Sequence, residues 1–461
     1  MKEYFGIMKK SFDNRDSIDF GKDKIGRLFW NVFIPTLLGM LADVAFMLTD
    51  GIFVGHVVGP EGLACVNLIA PTMMLITGIG MMFGMGASVV AAIHLAKEEF
   101  GQARRKVTQA FGAAILLSLI AVALLYGFPT ATMRLLGVSE QLLPLAGEYF
   151  FWFVPTCFFI MIQIVGSFII RLDGSPKYSM MATVVPSVLN IILDYIFIFP
   201  CGWGLKGAAL ATDIGTCAGA LMVFYYMFRK ARSLKFCRPS TAFHRGSANE
   251  LLEIMKVGFA GLVMEFSASV LILCGNRSFG AYLGDIGVAA FSVVCYIFPI
   301  IANVFYAAAT SAQPIVSFNH GAENHDRCRA TLRYSIGVSV GFALVALIVF
   351  TFFSPTIISV FLDGGNETCG LASKGLPLFS VGLIFMGFNT PVVGYFQSIE
   401  RSGTSTLLTI LRGFVLVVLS FALLPRFLGT AGLWLAIPVA EFISAVVMLF
   451  LLRRIRADEK S

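Results

Sequence analysis

Apolar stretches of helical length follow one another along almost the whole chain. A helix needs about 20 apolar residues to cross the hydrocarbon core of a bilayer, where only its own backbone can satisfy its hydrogen bonds. Of the 461 residues, 57% are hydrophobic and 13% are charged, and 13% is about half the charged share of soluble domains. The sequence therefore predicts an all-α integral membrane protein. Twelve stretches qualify as spans, at approximately 28–54, 63–93, 107–128, 149–170, 180–200, 207–228, 254–279, 286–318, 332–353, 375–397, 406–428 and 432–452.

The distribution of positive charge predicts the topology. If the N-terminus is cytoplasmic, the tails and loops on that side hold 28 of the 34 Lys and Arg residues, and the opposite loops hold five. The remaining one, Arg412, falls near the start of the eleventh stretch, close to an interface. Such a bias is typical of cytoplasmic loops and explains the net charge of +7 without a nucleic-acid partner. We expect both termini to be cytoplasmic and residues 1–27 to be a tail rather than a signal peptide.

The chain also matches itself at an offset of 225 residues, through loops as well as spans. Each half holds six stretches, an even number, so the repeats are parallel and related by an axis along the membrane normal. The sequence thus predicts two six-helix lobes enclosing a cleft, the architecture of a carrier, and a monomer is sufficient to form it. The predicted parts are the tail 1–27, the N-lobe 28–228, a cytoplasmic linker 229–253, the C-lobe 254–452 and the tail 453–461. Matched pairs include Gly55 and Gly280, Gly59 and Gly284, Glu98 and Glu323, Pro200 and Pro425, and Gly204 and Gly429.

Six acidic residues lie inside predicted spans, where a charge costs about 2.5–3.5 kcal/mol and requires an explanation. Only Arg412 opposes them, so the cleft should be acidic and suit cations or protons rather than polyanions. The alternative is structural: the acids could pair with one another or cap kinked helices. The six are Asp43, Asp50, Asp194, Asp213, Glu265 and Glu441.

Two pairs of polar residues inside the predicted spans share helix faces. Asn190 and Asp194 are four residues apart, and Asp43 and Asp50 are seven apart. Carboxylate and amide oxygens are the ligands of a hard cation such as Na⁺, and the same groups can relay protons. Pro35 removes a backbone hydrogen bond in the first span, which makes that helix a candidate moving part or, alternatively, a passively kinked one.

The repeat does not preserve the acids. Asp50 corresponds to Gly275 and Asp194 to Leu419 at the 225-residue offset. This asymmetry favours a cation site in the first half and a separate polar patch in the second.

Several stretches resemble the multidrug and toxic compound extrusion (MATE) family, most closely its MepA-like bacterial branch. They are LTDGIFVGHVVGPEGLA at 48–64, RLDGSPKYSMM at 171–181, NIILDYIFIFPCGWGLKGAALAT at 190–212, QPIVSFNHGAEN at 313–324, YFQSIERSG at 395–403 and GLWLAIPVAE at 432–441. The resemblance covers residues 25 to 455 and implies export of cationic or amphipathic organic compounds by H⁺ or Na⁺ antiport.

The resemblance also implies site residues. The coupling set of one family branch falls on Asp50, Asn190, Asp194 and Thr212, which could hold Na⁺, and the helix-kink switch falls on Pro35. In another branch the coupling carboxylates lie in the C-lobe. Glu265 matches one of them, but Asn389 stands near the place of the expected aspartate, which favours the N-lobe set. Additional cleft candidates are Asp43, Asp213, Glu265, Asn389 and Glu441, and the role of Asp43 stays open.

Other function classes find less support. The nine cysteines lie singly, and the chain lacks HExxH, CxxC and a phosphate-binding loop, so we expect no enzyme, no cofactor and no nucleotide. The alternative function is a flippase for lipid-linked substrates of a related fold. The expected partners are small organic cations and membrane lipid, in a bacterial inner membrane.

Overall fold

The computed structural model describes residues 18–244, 246–359 and 367–458, and every regular element in these ranges is helical. The predicted all-α fold is confirmed, while parts of both predicted tails lie outside the described residues. The helices before the linker are α1 (Ile25–Val57), α2 (Pro60–Ala96), α3 (Phe100–Gly127), α4 (Pro129–Leu135), α5 (Leu143–Phe153), α6 (Thr156–Leu172), α7 (Pro176–Ile198) and α8 (Gly204–Tyr225). Those after it are α9 (Pro239–Ala242), α10 (Ser247–Gly321), α11 (His325–Phe352), α12 (Ser354–Ile358), α13 (Glu367–Ser398), α14 (Ser402–Ile410), α15 (Leu416–Leu428) and α16 (Thr430–Asp458).

The long helices supply the twelve predicted spans. Among the described residues, ten helices are long and apolar enough to cross a membrane, and α5 with α6 forms an eleventh span bent by 44°. Pro155 lies at that bend and has no N–H to continue the helix. The 75-residue α10 is two helices, since Gly284 breaks it with φ 62° and ψ −153°. At a rise of 1.5 Å per residue, an unbroken α10 would extend about 110 Å, far beyond one bilayer.

Two spans contain a single π-helical turn. Tyr226–Lys230 extends α8, and Leu411–Val415 joins α14 to α15. A π turn inserts one extra residue and is frequently found at functional positions. The first turn carries Arg229 and Lys230, and the second carries Arg412.

The described chain divides into two compact units. The first contains the residues up to Ile254 together with Ser317–Arg327, and the second contains Met255–Val316 and the residues from Cys328 onward. Side-chain hydrogen bonds hold Ser317–Arg327 in the first unit, because Arg327 Nη2 donates to the carbonyl oxygens of Phe20 at 2.9 Å and Asp23 at 2.8 Å.

The backbone repeats at the 225-residue offset. Gly59 and Gly284 both have positive φ, 85° and 62°, between consecutive spans. Glu98 and Glu323 have φ of 60° and 57°, in the left-handed region that non-glycine residues rarely adopt. Equivalent turns therefore end equivalent helices in the two halves.

Three helices of the first unit, α1, α7 and α8, pack closely together. α7 packs against both α1 and α8. Gly215 of α8 lies so near α7 that a Cβ there would be 3.0 Å from the Pro186 oxygen. Small residues at such crossings let membrane helices approach closely. In the second unit, α16 packs against α13 and α15 in the same way.

Candidate cation-coupling site

Four polar residues from three helices meet inside the first unit, and we call them the aspartate cluster: Asp50 of α1, Asn190 and Asp194 of α7, and Thr212 of α8. Asn190 Nδ2 donates to Thr212 Oγ1 at 3.2 Å, while the Thr212 hydroxyl donates to the Ala208 carbonyl at 3.0 Å. The charge of Asp50 acts directly on the Asp194 carboxyl. Since α7 lies between α1 and α8, its Asn190–Asp194 face can meet both neighbours.

The aspartate cluster presents oxygen atoms that lack donors. Asp50 Oδ1, Asn190 Oδ1 and both carboxylate oxygens of Asp194 are buried without a hydrogen-bond partner among the described residues. Asp194 is 0% exposed. A buried acceptor without a donor is costly, and two neighbouring carboxylates that are both ionised would repel each other. A bound cation or proton would relieve both effects.

The ligand chemistry of the cluster is mixed. The described residues contain no group of three or more His, Cys, Asp or Glu side chains arranged for a metal ion. A cation here would bind to carboxylate, amide and hydroxyl oxygens together, which suits Na⁺ rather than a transition metal.

Tyr149 of α5 belongs beside the cluster and was not predicted from the sequence. It is 5% exposed, and the charges of both Asp50 and Asp194 act on its hydroxyl. Its ring stacks on Phe153 with centroids 5.4 Å apart. Nothing in the aromatic run around Tyr149 distinguishes it from residues that pack against lipid, so only the tertiary contact reveals it.

Two other candidate acids of the first unit lie apart from the cluster. Asp43 is exposed, although it falls in the middle of α1, and its Oδ1 accepts a hydrogen bond from Ser187 Oγ at 3.1 Å. Asp213 adjoins Thr212 in sequence but accepts from Thr156 Oγ1 of α6 at 3.3 Å. The structure therefore places these acids in separate polar environments.

The second unit holds a different arrangement, the arginine cluster of Asn389, Arg412 and Glu441. Arg412 Nε donates to Glu441 Oε1 at 2.6 Å and Oε2 at 2.9 Å, and Asn389 Nδ2 donates to Glu441 Oε2 at 2.7 Å. The side chains of Arg412 and Glu441 are only 12% and 10% exposed. Arg412, the basic residue predicted to oppose the six acids, thus pairs with one of them. The π turn Leu411–Val415 carries it, and Glu441 is its ion-pair partner.

Glu265 is the remaining candidate acid. It is half-buried and forms no salt bridge among the described residues. Its charge acts on the Tyr306 hydroxyl, as do the charges of Arg412 and Glu441. Glu265 therefore lies near the arginine cluster without being ion-paired to it.

Pro35 lies within α1, which runs as one helix from Ile25 to Val57. It cannot donate the helical hydrogen bond to the residue four positions earlier, so α1 has a weak point 15 residues before Asp50.

Buried acids inside a repeated bundle of membrane-spanning helices are the construction of a secondary transporter. The MatE family profile matches residues 35–196 and 254–422, once in each half. A multidrug export protein MepA from Staphylococcus saprophyticus is 24% identical over 449 residues, covering 95% of this chain and 97% of that protein. The chain thus belongs to the MatE family of multidrug efflux transporters; it is a transporter and not an enzyme.

Solved structures agree with this assignment. An outward-facing multidrug resistance MATE family transporter of the MOP superfamily superposes with a TM-score of 0.89 at 25% identity, over 96% of this chain and 98% of that one. A MATE structure in a bent conformation superposes with a TM-score of 0.87 at 25% identity, over 95% and 97%. The predicted two-lobe helical fold is thereby confirmed.

Proposed function

We propose that this protein exports cationic or amphipathic organic compounds by antiport with H⁺ or Na⁺, and that the aspartate cluster is the coupling site. The four buried oxygen atoms without donors carry the proposal, because they suit a bound cation or proton and are unfavourable without one. The family membership supports multidrug efflux.

The coupling step would act through α1. Binding of a cation at Asp50 and Asp194 neutralises the charge repulsion between α1 and α7. Pro35 gives α1 a point at which it can bend in response, and the bent conformation of a solved relative is in keeping with such a movement. Alternating access then releases the exported compound on the side opposite to its uptake.

Asp43 is the first-unit acid best placed to contact the exported cation. It is exposed in mid-span, where a carboxylate facing lipid would be costly, and Ser187 holds its Oδ1. On α1, Ile34 and Ile52 project about 180° and Leu48 about 140° from Asp43, so Asp43 lies on the opposite side of the helix from these exposed apolar residues.

We further propose a monomer in the bacterial inner membrane with both termini in the cytoplasm. The bias of positive charge supports this topology.

Proteoliposomes test the coupling site. Efflux of ethidium is followed under an imposed pH gradient and, separately, under a Na⁺ gradient, for the wild type, Asp50→Asn and Asp194→Asn. Asp213→Asn is the matched control, since it removes an acid from the same unit outside the cluster. We expect one gradient to drive transport, both cluster variants to lose it and the control to keep it. Gradient-driven efflux that survives both cluster substitutions would exclude this site and direct attention to Glu265.

A further inference from the structure

The segment after α8 is basic and free of acids. Between Asp213 and Glu250 the chain contains no Asp or Glu. The segment begins with the π turn Tyr226–Lys230, which completes the membrane-spanning stretch Gly204–Lys230. Its Lys and Arg residues are Arg229, Lys230, Arg232, Lys235, Arg238 and Arg245.

Asp173, in the turn between α6 and α7, fastens this segment. It accepts hydrogen bonds from the Tyr226 hydroxyl at 2.8 Å and from the backbone N–H groups of Arg232 at 2.7 Å, Ser233 at 2.9 Å and Leu234 at 3.1 Å. Asp173 is 7% exposed. Charge-assisted hydrogen bonds of this kind are strong, so the chain turns back at the end of α8 instead of extending into solvent.

A second set of contacts keeps the segment along α3. The backbone N–H of Cys237 donates to Thr108 Oγ1 at 3.0 Å. The Phe236 ring lies edge-on to Phe111 and Phe228, with centroids 5.0 and 5.3 Å apart. Thr108 and Phe111 lie about 12 and 16 Å from the first residue of α3, a helix about 42 Å long, so the segment runs beside the first half of a membrane-spanning helix.

The outward side of this fastened segment is basic and aromatic. Arg229, Lys235 and Arg238 are exposed. Phe228 and Tyr225, at the end of α8, are 69% and 54% exposed. Aromatic rings beside clustered bases are typical of the membrane interface, where the rings lie at headgroup level and the bases meet anionic lipid.

We propose that Arg229, Lys235 and Arg238 form a binding surface for the headgroups of anionic phospholipids. The positive-inside bias accounts for the sign of these charges, but it does not require the segment to be fastened. Fastening keeps the charges beside membrane-spanning helices. Attraction to anionic lipid is effective within about a Debye length of the bilayer surface, roughly 8 Å. The bound lipid would in turn fix the connection between the two halves of the chain at the membrane.

Native mass spectrometry of the full chain tests the proposal. Phosphatidylglycerol and phosphatidylcholine are titrated in turn into the detergent-solubilised protein, and the two dissociation constants are compared. The test variant is Arg229→Gln/Lys235→Gln/Arg238→Gln. The matched control, Arg134→Gln/Lys374→Gln/Arg426→Gln, removes the same charge from loops predicted on the opposite face. Thermal unfolding in the same detergent verifies that both variants are folded.

Each base near an anionic surface contributes about fivefold to the affinity for anionic lipid. We therefore expect the ratio of the two dissociation constants, which expresses the preference for phosphatidylglycerol, to fall by on the order of 100-fold in the test variant. The control should keep the wild-type preference. Asp173→Asn weakens the fastening but keeps all three bases, and it should lose part of the preference for phosphatidylglycerol. An unchanged preference in the test variant would overturn the proposal, as would an equal loss in the control. Displacement of the lipid by inorganic phosphate would also overturn it, since that outcome identifies a site for free phosphate.

Discussion

The buried ion pair of the second unit permits a quantitative test of what holds that unit together. In Arg412→Gln the Glu441 carboxylate stays buried and loses two of its three hydrogen bonds, so that only Asn389 still donates to it. Removing one partner of a buried pair typically costs about 3–5 kcal/mol, because the other charge stays uncompensated. We expect the free energy of unfolding to fall by about 3 kcal/mol in Arg412→Gln and by a similar amount in Glu441→Gln.

The double variant Arg412→Gln/Glu441→Gln should be no less stable than either single one. It leaves two neutral amides beside Asn389, and neither charge is left unpaired. The losses of unfolding free energy in the two single variants should therefore sum to about 3 kcal/mol more than the loss in the double variant. Reversible unfolding in mixed SDS micelles, followed by tryptophan fluorescence, measures all four proteins. Additivity within about 0.5 kcal/mol would show that the two side chains do not interact energetically and that the ion pair does not stabilise the second unit.

Three further predictions concern packing, backbone conformation and the fastened linker. Gly215→Ala should lower the free energy of unfolding by about 1–3 kcal/mol and impair efflux, because the new Cβ would press on α7. Gly51→Ala, whose Cβ would meet nothing within 4 Å, should change neither. Thermal unfolding and ethidium efflux are measured for both variants. Glu98→Gly and Glu323→Gly should each raise the unfolding free energy by up to about 1 kcal/mol through relief of a positive φ, and a lowered melting temperature in both would contradict this. Asp173→Asn should accelerate amide hydrogen exchange in residues 232–234 relative to the wild type, and unchanged exchange there would show that the carboxylate does not hold the linker.

Most of the fold could be predicted because its solvent is lipid. The apolar stretches identified the spans, and the 225-residue repeat identified two equivalent halves, whose matching turns at Gly59 and Gly284 share a positive φ. Local irregularities could not be predicted. The bend at Pro155 and the π turn at Arg412 change the hydrogen bonding of one or two residues, which leaves hydropathy unaltered.

The candidate sites were predicted unevenly. Asn190 and Asp194 could be paired because four residues make one helical turn, and the structure brings both to Asp50 and Thr212. Tyr149 could not be found, since a tyrosine among aromatic residues carries no signal of its own.

The solvent, the number of spans, the repeat and the inventory of buried charges could be read from the sequence alone, because they depend on composition and on spacing along one helix. Which charges are neutralised was decided only by tertiary structure. Asp50 and Asp194 meet with oxygen atoms left without donors, whereas Glu441 meets Arg412 and Asn389. The physical reason is that a hydrogen bond or an ion pair acts over a few ångströms between side chains on different helices, and their approach depends on how those helices pack.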